Sequence, residues 1–490
     1  MPIFGEDLPG YDRNPERGSL RWEGVSRHPT PTGAALRSVL VPGWGQMATD
    51  RPVLGRVLVF TTGMLGITAL TVFLFVEPVE IAAWLANPDV LLGMVLLDLG
   101  LAIVRIFSTG LAWHAGGGRG WLIIVALFLI VAMPHAAIAW VGLETRGSLV
   151  RVFVNNPVTV AASSTTTSST TTTSTTRPLE LSPIVTAPGQ YEEDEITAEP
   201  TAPWQPFGTD RLNILLLGGD AGPDRSGLRT DTMIVASIDP ITGDAALVGL
   251  PRNYGSPALT DGTIVPVTQL GHVYGWGRRH PDLFPGVDPG AGAVRDAVQS
   301  LSGLEIDFFV LVDLTGFAEV VDAFGGVDIE VAEPVDGPLY DVVTGGYEMV
   351  QIPTGRQHLD GAHALAYSRA RYGSSDYARM GRQRCVLASL ATQSDILTLF
   401  ARMDAILEAV TANLATDLPV EMVPELIRLT PRISATNIRL IGFDATWGVG
   451  RTRTGHVIPD VERIREAVRI VIDSPGDSAA LGAITADGGC

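Results

Sequence analysis

Residues 213–252 read NILLLGGDAGPDRSGLRTDTMIVASIDPITGDAALVGLPR, and the three apolar runs in this stretch decide the fold class. NILLLGG (213–219), TMIVASID (232–239) and DAALVGLPR (244–252) are short, apolar and bounded by Gly, Pro and Asp. That is the pattern of strands, with a turn at Pro240–Asp244 joining the second to the third. Downstream, GAVRDAVQSLSG (292–303) has helical spacing, IDFFVLVD (306–313) reads as a strand, and TGFAEVVDAFGG (315–326) as a helix stopped by Gly325 and Gly326. HALAYSRARY (363–372) alternates as a strand, and DYARMGRQRCVLASLATQ (376–393) turns helical. Residues 396–473 add amphipathic helices and one strand, NIRLIGF. Strands interleaved with helices predict an α/β fold with a mixed central sheet flanked by helices.

The chain has 490 residues, enough for two or three domains, and a formal net charge of -19. All 34 basic residues are arginine, so lysine-based catalysis is excluded. The acidic balance argues against general attraction to nucleic acid. Two cysteines, Cys385 and Cys490, rule out a dense disulfide framework and a multi-cysteine metal site. A bridge between them and a buried thiol beside a loose tail are both open readings.

Three apolar runs, Val57–Val76, Val90–Phe107 and Trp121–Gly142, are each long enough to cross a bilayer as a helix. Seven arginines between Arg13 and Arg56 precede them, and the first loop is acidic (Glu77, Glu80, Asp89), so the N-terminus is expected on the cytoplasmic side. Three crossings place the remainder outside. Ala34–Met47 is apolar but too short to span, and reads as interfacial or re-entrant; a fourth crossing there would invert the topology. Asp98, midway along the second run with Arg105 seven residues on, is either a functional carboxylate or a structural contact inside a helix bundle.

AASSTTTSSTTTTSTTRP (161–178) and YEEDEITAEPTAPW (191–204) have too little apolar surface to order and read as a tether. The expected organisation is a cytoplasmic segment (1–52), a membrane region of three helices (53–145), the tether (146–209), a catalytic domain (210–475) and a tail (476–490).

Arginines concentrate in YSRARYGSSDYARMGRQR, residues 367–384. On a strand, Tyr367, Arg369 and Arg371 would share one face. In the helix that follows, Arg379 and Gln383 stack four apart, while Arg382 and Arg384 point elsewhere as solvated or salt-bridged residues. Guanidinium groups gathered in this way repel one another unless an anion lies between them. Asp220 ends the first strand, Asp231 opens the second after Arg229, and Arg252 ends the third. Strand-end carboxylates can share a hard cation, and Mg²⁺ takes one or two of them together with phosphate oxygens. The set suits a diphosphate, each charge-assisted contact contributing roughly 1.5–3 kcal/mol. The alternative is an ion-pair network.

NILLLGGD, RTDTMIVASIDPITGDAALVGLPR, IDFFVLVDLTGFAEVVDAFGGVDIEV, LDGAHALAYSRARY and DYARMGRQRCVL, in this order, resemble the LytR-CpsA-Psr family of cell-wall phosphotransferases. The likeness is dense from Asn213 to about Leu390, looser to about residue 473, and absent from the membrane segments and tether. It implies transfer of a glycopolymer from a polyprenyl diphosphate carrier to a peptidoglycan hydroxyl, with Mg²⁺ assisting. By that resemblance Asp220 and Asp231 hold the metal, and Arg229, Arg252, Arg369, Arg371, Arg379 and Gln383 hold the diphosphate. Asp220, Asp231, Arg252, Arg369 and Arg371 are the expected catalytic set, with Asp231 or Asp220 accepting the hydroxyl proton. FFVLVDLTGFAEVV and the last helices are candidates for an apolar slot that takes the lipid.

Two departures stand out: Asn253 replaces an aspartate common after Pro-Arg, and in TQLGHVYGWG Gln269 replaces a lysine. His272, in the same segment, is a candidate substrate contact or a structural residue. A diphosphate hydrolase and a non-catalytic module for lipid-linked glycan are the alternatives, separated by the fate of the glycan and by metal dependence. The whole is expected at the cell membrane, multi-pass, with the catalytic domain on the extracellular face.

Overall fold

The structure, a computed structural model, describes residues 30–49, 51–153, 211–219, 229–340, 346–393 and 402–473. Asp220, both tether sequences and Cys490 lie outside the described residues. The chain divides into two compact units, Met1–Leu74 with Leu96–Ala139, and Phe75–Val95 with Trp140–Cys490.

The first unit holds helices α1 (Pro31–Leu40), α2 (Trp44–Met47), α3 (Pro52–Phe75) up to Leu74, and the portions from Leu96 to Ala139 of α5 (Pro88–Ala115) and α6 (Trp121–Val152). Helices α3, α5 and α6 are long and apolar enough to cross a membrane. Ala34–Met47 forms parts of two helices too short to span, packed by polar groups. Gly43 N donates to Ser108 Oγ at 2.9 Å, Ser38 Oγ to Gln46 Oε1 at 2.9 Å, and Gly45 N to Ser38 Oγ at 3.0 Å. Gly43 is required there: its φ is +94°, and a Cβ would meet Gly55 O at 2.4 Å. Asp98 partners His135 Nδ1, at 2.7 Å across the helix pair, and Arg105 instead donates to Leu40 O at 3.0 Å.

The second unit is built on a six-stranded sheet. Strands β1 (Leu212–Gly219), β2 (Thr230–Ile238), β3 (Ala245–Gly249), β4 (Phe308–Asp313), β9 (Leu414–Thr416) and β10 (Ile438–Gly442) lie in the order β10-β3-β2-β1-β4-β9. β1–β4 and β3–β10 pair in parallel and the other three pairs antiparallel, so the sheet is mixed as expected. The β2–β3 turn is set by Asp239, whose Oδ1 accepts from Ile241 N (2.8 Å) and Thr242 N (3.0 Å).

Alternate residues face opposite layers. Leu215, Val235, Val248 and Phe309 share a core with α8 (Pro289–Ser302) and α14 (Val461–Asp473), through Val294, Val298, Ile464 and Val468. On the other face, Ile234, Ala236 and Leu247 pack against Ala388 and Leu387 of α11 (Asp376–Gln393). Helix α9 (Leu314–Phe324) starts at Asp313, whose Oδ1 accepts from Gly316 N at 2.8 Å, and ends at Gly325 and Gly326, both with positive φ.

Two antiparallel strand pairs were not legible in the sequence: β5 (Val327–Val331) with β8 (Gly355–Leu359), and between them in the chain β6 (Val335–Tyr340) with β7 (Tyr347–Ile352). The segment read as the strand HALAYSRARY is instead helix α10 (Gly361–Arg369). Asp360 caps it by accepting from His363 N at 2.9 Å, and Ala364 to Ser368 are buried without alternation. A good N-cap followed by alanines outweighs a short alternating pattern. Helices α12 (Met403–Asn413) and α13 (Val423–Leu429) complete the unit on this side.

Candidate functional site

The site forms where β2, the residues after β3, the end of α10 and the first turns of α11 meet. β3 ends at Gly249, and Arg252 follows with its carbonyl accepting from Gly271 N at 2.8 Å. Gly271 can come this close because it has no Cβ; one would lie 3.2 Å from Arg252 Cβ and 3.0 Å from Thr230 O. Arg252 pairs tightly with Asp231 Oδ1 and has Nε 3.5 Å from Asp376 Oδ2. Burial works against the Arg252 charge, but Asp231 and Asp376 more than offset it and hold its pKa above the usual arginine value.

Asp376 is the residue that sequence reasoning missed. Its Oδ1 lies 3.2 Å from Nη2 of both Arg371 and Arg379, so one carboxylate at the start of α11 serves three guanidiniums. The available signal was its i,i+3 spacing to Arg379 in the first turn of a helix, where an acid is favoured. Arg379 is 3 % exposed, its Nη1 is 3.8 Å from Asp231 Oδ2, and its Nη2 donates to Asp231 O at 3.2 Å. Burial first, then the neighbouring Arg371 and Arg252 charges, push its pKa down to about 10, against the pull of Asp376 and Asp231.

Arg369, Arg379, Gln383, Ser368 and Asp231 form the polar wall of a cavity of ≈ 200 Å³. Thr232 and Asp313 add two more polar residues to the lining, and an apolar stretch is formed by Val310, Val312, Leu314, Phe317 and Val320 from β4 and α9, and by Leu387 and Leu390 from α11. FFVLVDLTGFAEVV therefore lines a slot, whereas α13 and α14 do not line it. A second cavity of ≈ 360 Å³ shares Leu216, Leu387 and Leu390 with the first and runs on to Phe324, Thr430 and Ile433. Gln383 Nε2 donates to Ser368 O at 3.3 Å, and its buried Oε1 has no hydrogen-bond partner among the described residues.

Six of the eight expected site residues, Asp231, Arg252, Arg369, Arg371, Arg379 and Gln383, are thus brought together. Arg369 and Arg371 reach the site from the end of a helix and the loop after it rather than from one strand face. Arg229 is exposed just ahead of β2, with its charge bearing on His272. Among the described residues Arg252, Arg369, Arg371 and Arg379 gather here with Asp231 and Asp376, and guanidiniums so gathered are suited to bind phosphate oxygens.

Arg382 and Arg384 are not the surface residues expected. Arg382 braces the segment that carries Arg369 and Arg371: Nε donates to Tyr367 O at 3.1 Å, and Nη2 to Ala370 O and to Ser374 Oγ, the latter at 3.1 Å. Arg384 is 3 % exposed and lies over Gly249 and Gly442, register partners on β3 and β10, where a Cβ would approach Nη1 to 2.5 and 2.4 Å. Burial alone lowers its pKa to about 10.

His272 Nδ1 is 2.9 Å from Thr268 Oγ1 and Nε2 is 3.3 Å from Gln269 Nε2. Burial, then the Arg229, His456 and Arg252 charges, lower its pKa below the usual histidine value. Cys385 is buried and disulfide-bonded.

For Mg²⁺, no cluster of three His, Cys, Asp or Glu residues that could hold a metal occurs among the described residues. Asp231 and Asp376 nevertheless converge on the same two guanidiniums, Arg252 and Arg379. A pair of carboxylates is the donor set Mg²⁺ takes when phosphate supplies its other oxygens, so the residues fit.

Comparison with known proteins places these observations. Polyisoprenyl-teichoic acid–peptidoglycan teichoic acid transferase TagU of Halalkalibacterium halodurans is 30% identical over 220 residues, 44% of this chain and 64% of that protein. Cell wall biosynthesis protein LcpA of Corynebacterium glutamicum is 36% identical over 246 residues, 42% of this chain and 44% of that protein. The chain thus spans less than two thirds of the length of these curated relatives. The crystal structure of B. subtilis TagV aligns with a TM-score of 0.41 at 23% identity, covering 54% of this chain and 98% of that one. The model of the LytR_cpsA_psr family matches residues 160–462, which takes in part of the segment where the sequence motifs had shown no likeness. On that match, over more than half its length, the chain belongs to the LytR_cpsA_psr family.

Proposed function

We propose that this protein is a membrane-anchored phosphotransferase that moves a glycopolymer from a polyprenyl diphosphate carrier to a sugar hydroxyl of peptidoglycan, forming a phosphodiester. One observation carries the reading: a single cavity joins a polar wall that bears Arg369, Arg379 and Gln383 to an apolar stretch along β4, α9 and α11. A prenyl diphosphate is a ligand with that same division, charged at one end and hydrocarbon at the other. The two cavities that share Leu216, Leu387 and Leu390 would take successive isoprene units of its tail.

The chemistry follows from charge. Phosphoryl transfer spreads negative charge over the transferred group and the departing prenyl phosphate, and stabilising that charge is the main catalytic task. Arg252, Arg371 and Arg379 are already held in place by Asp231 and Asp376, so little reorganisation is needed when the diphosphate arrives. Arg369 and Gln383 face the same cavity and orient the phosphoryl oxygens. The acceptor hydroxyl attacks, its proton passes to Asp231 or Asp220, and prenyl phosphate leaves. Mg²⁺, when bound through Asp231 and a second carboxylate, Asp376 or the expected Asp220, would draw further charge from the phosphate oxygens. If α3, α5 and α6 each cross the bilayer with the arginine-rich N-terminus on the cytoplasmic side, this unit would lie at the extracellular face, where peptidoglycan is.

The test is incubation of the purified full-length protein with a labelled lipid-diphosphate glycan, insoluble peptidoglycan and Mg²⁺. The expected result is label fixed in the peptidoglycan with prenyl phosphate released. Free phosphorylated glycan without wall linkage would indicate a hydrolase, and binding with no product a capture module.

A further inference from the structure

The tether predicted from sequence would let the catalytic unit work at a distance from the bilayer, yet parts of the membrane region belong to that unit. Helix α4 (Pro78–Leu85) begins three residues after α3 ends and finishes three residues before α5 starts. A helix tied so closely at both ends to two membrane-crossing candidates stays at the surface where they emerge. It packs on α13, and Arg428 of α13 bridges the two helices: Nε donates to Glu80 Oε1 and Oε2 at 3.1 and 3.0 Å, while Nη1 pairs with Glu425. The last turn of α6 makes a second attachment. Leu149 is buried with Leu407 and Val420, and Phe153 packs against both that cluster and the one formed by Leu212, Ile214, Phe308 and Leu418. With three crossings, the end of α6 emerges on the same side as α4.

Helix α13 runs directly into the segment with Thr430 and Ile433, which line the second cavity and not the first. The segment gripped by α4 is therefore continuous in sequence with residues that line the second cavity, whose lining holds no arginine. We infer that α4 and the end of α6 form a docking surface that seats the catalytic unit on the bilayer with its second cavity held at the membrane surface, so that a long prenyl tail enters without leaving the hydrocarbon. Arg428 is 27% exposed and Glu80 38%, so the ion pair sets the register of a contact that the apolar residues hold together. This inference rests on the functional reading above for its ligand, but not for its geometry.

The experiment uses the full chain in lipid nanodiscs. In a Leu149→Cys/Leu407→Cys variant, oxidation is expected to give an intramolecular crosslink in most molecules, since Cys385 is already disulfide-bonded; no crosslink overturns the proposal. Transfer is then measured with a long-chain carrier embedded in the bilayer and with a short-chain, water-soluble prenyl diphosphate glycan. Arg428→Glu should lower long-chain transfer at least fivefold and leave short-chain transfer within twofold, and Glu80→Arg/Arg428→Glu should recover most of the loss. Equal loss on both carriers, no loss on either, or no recovery in the double variant would overturn it. Failure of the wild type to transfer the short-chain glycan would count against the functional reading, and the crosslink would still report on the docking.

Discussion

Asp376 Oδ1 stands 3.2 Å from Arg379 Nη2, one helical turn along α11, and the same oxygen is 3.2 Å from Arg371 Nη2. The carboxylate thus offsets the mutual repulsion of the guanidiniums and keeps the arginines gathered before any ligand binds.

Asp376→Asn conserves the shape and removes the charge. Without phosphate, the variant should be less stable by about 1–3 kcal/mol, because Arg379 is left buried beside other cations. Added pyrophosphate should narrow that gap by supplying the missing anion. Thermal melts of both proteins over a pyrophosphate series check this; a gap that stays constant would mean that the charge of Asp376 is not what offsets the gathered arginines.

Arg379→Met removes the buried cation that faces both Asp231 and the cavity. Affinity for a short prenyl diphosphate should fall about ten- to hundredfold, the loss of one or two charge-assisted contacts. Calorimetric titration is the direct measurement, and an unchanged Kd would remove Arg379 from the site.

Histidine 272 should make stability depend on pH. Its folded-state pKa lies below the unfolded value, so the unfolded chain binds more protons near that pH. The stabilisation is present above about pH 6.5, the ordinary histidine value, and is lost as pH falls through the lower folded-state pKa. His272→Gln should flatten the fall in melting temperature between pH 7 and 5 relative to wild type.

The buried Arg384 and its two glycines form a steric unit that can be tested by a double-mutant cycle. Gly442→Ala places a Cβ against the guanidinium and should cost about 1–3 kcal/mol in the wild-type background. In an Arg384→Met background the same change should cost much less, the difference being the coupling read from denaturant melts.

Legibility differed between sheet and site for a physical reason. β1 to β4, α8, α9 and α11 could be read because each buries an apolar face whose period appears in one short window. The α10 segment misled because HALAYSRARY alternates over a few residues, while the deciding feature, the Asp360 cap with Gly361 pressed on Ala318 O, lies before it. Arg252, Arg371 and Arg379 were expected to converge, but on a strand face for Arg371 that the structure replaces with the loop after a helix, and the acid that organises them was not expected. Asp376 looks like an ordinary first-turn carboxylate until the fold brings Arg252 across to it. Arg384 was misassigned for a similar reason: an arginine without an acid nearby in sequence reads as surface, and only the pairing of Gly249 with Gly442 makes room to bury it.

The central claim is that one cavity takes both ends of a prenyl diphosphate, and a crystal structure with a short-chain prenyl diphosphate bound tests it most directly. The account predicts the diphosphate against Arg369, Arg379 and Gln383, with the hydrocarbon running between Phe317 and Leu387. Phosphates bound away from these arginines, or a tail lying outside that cavity, would contradict it.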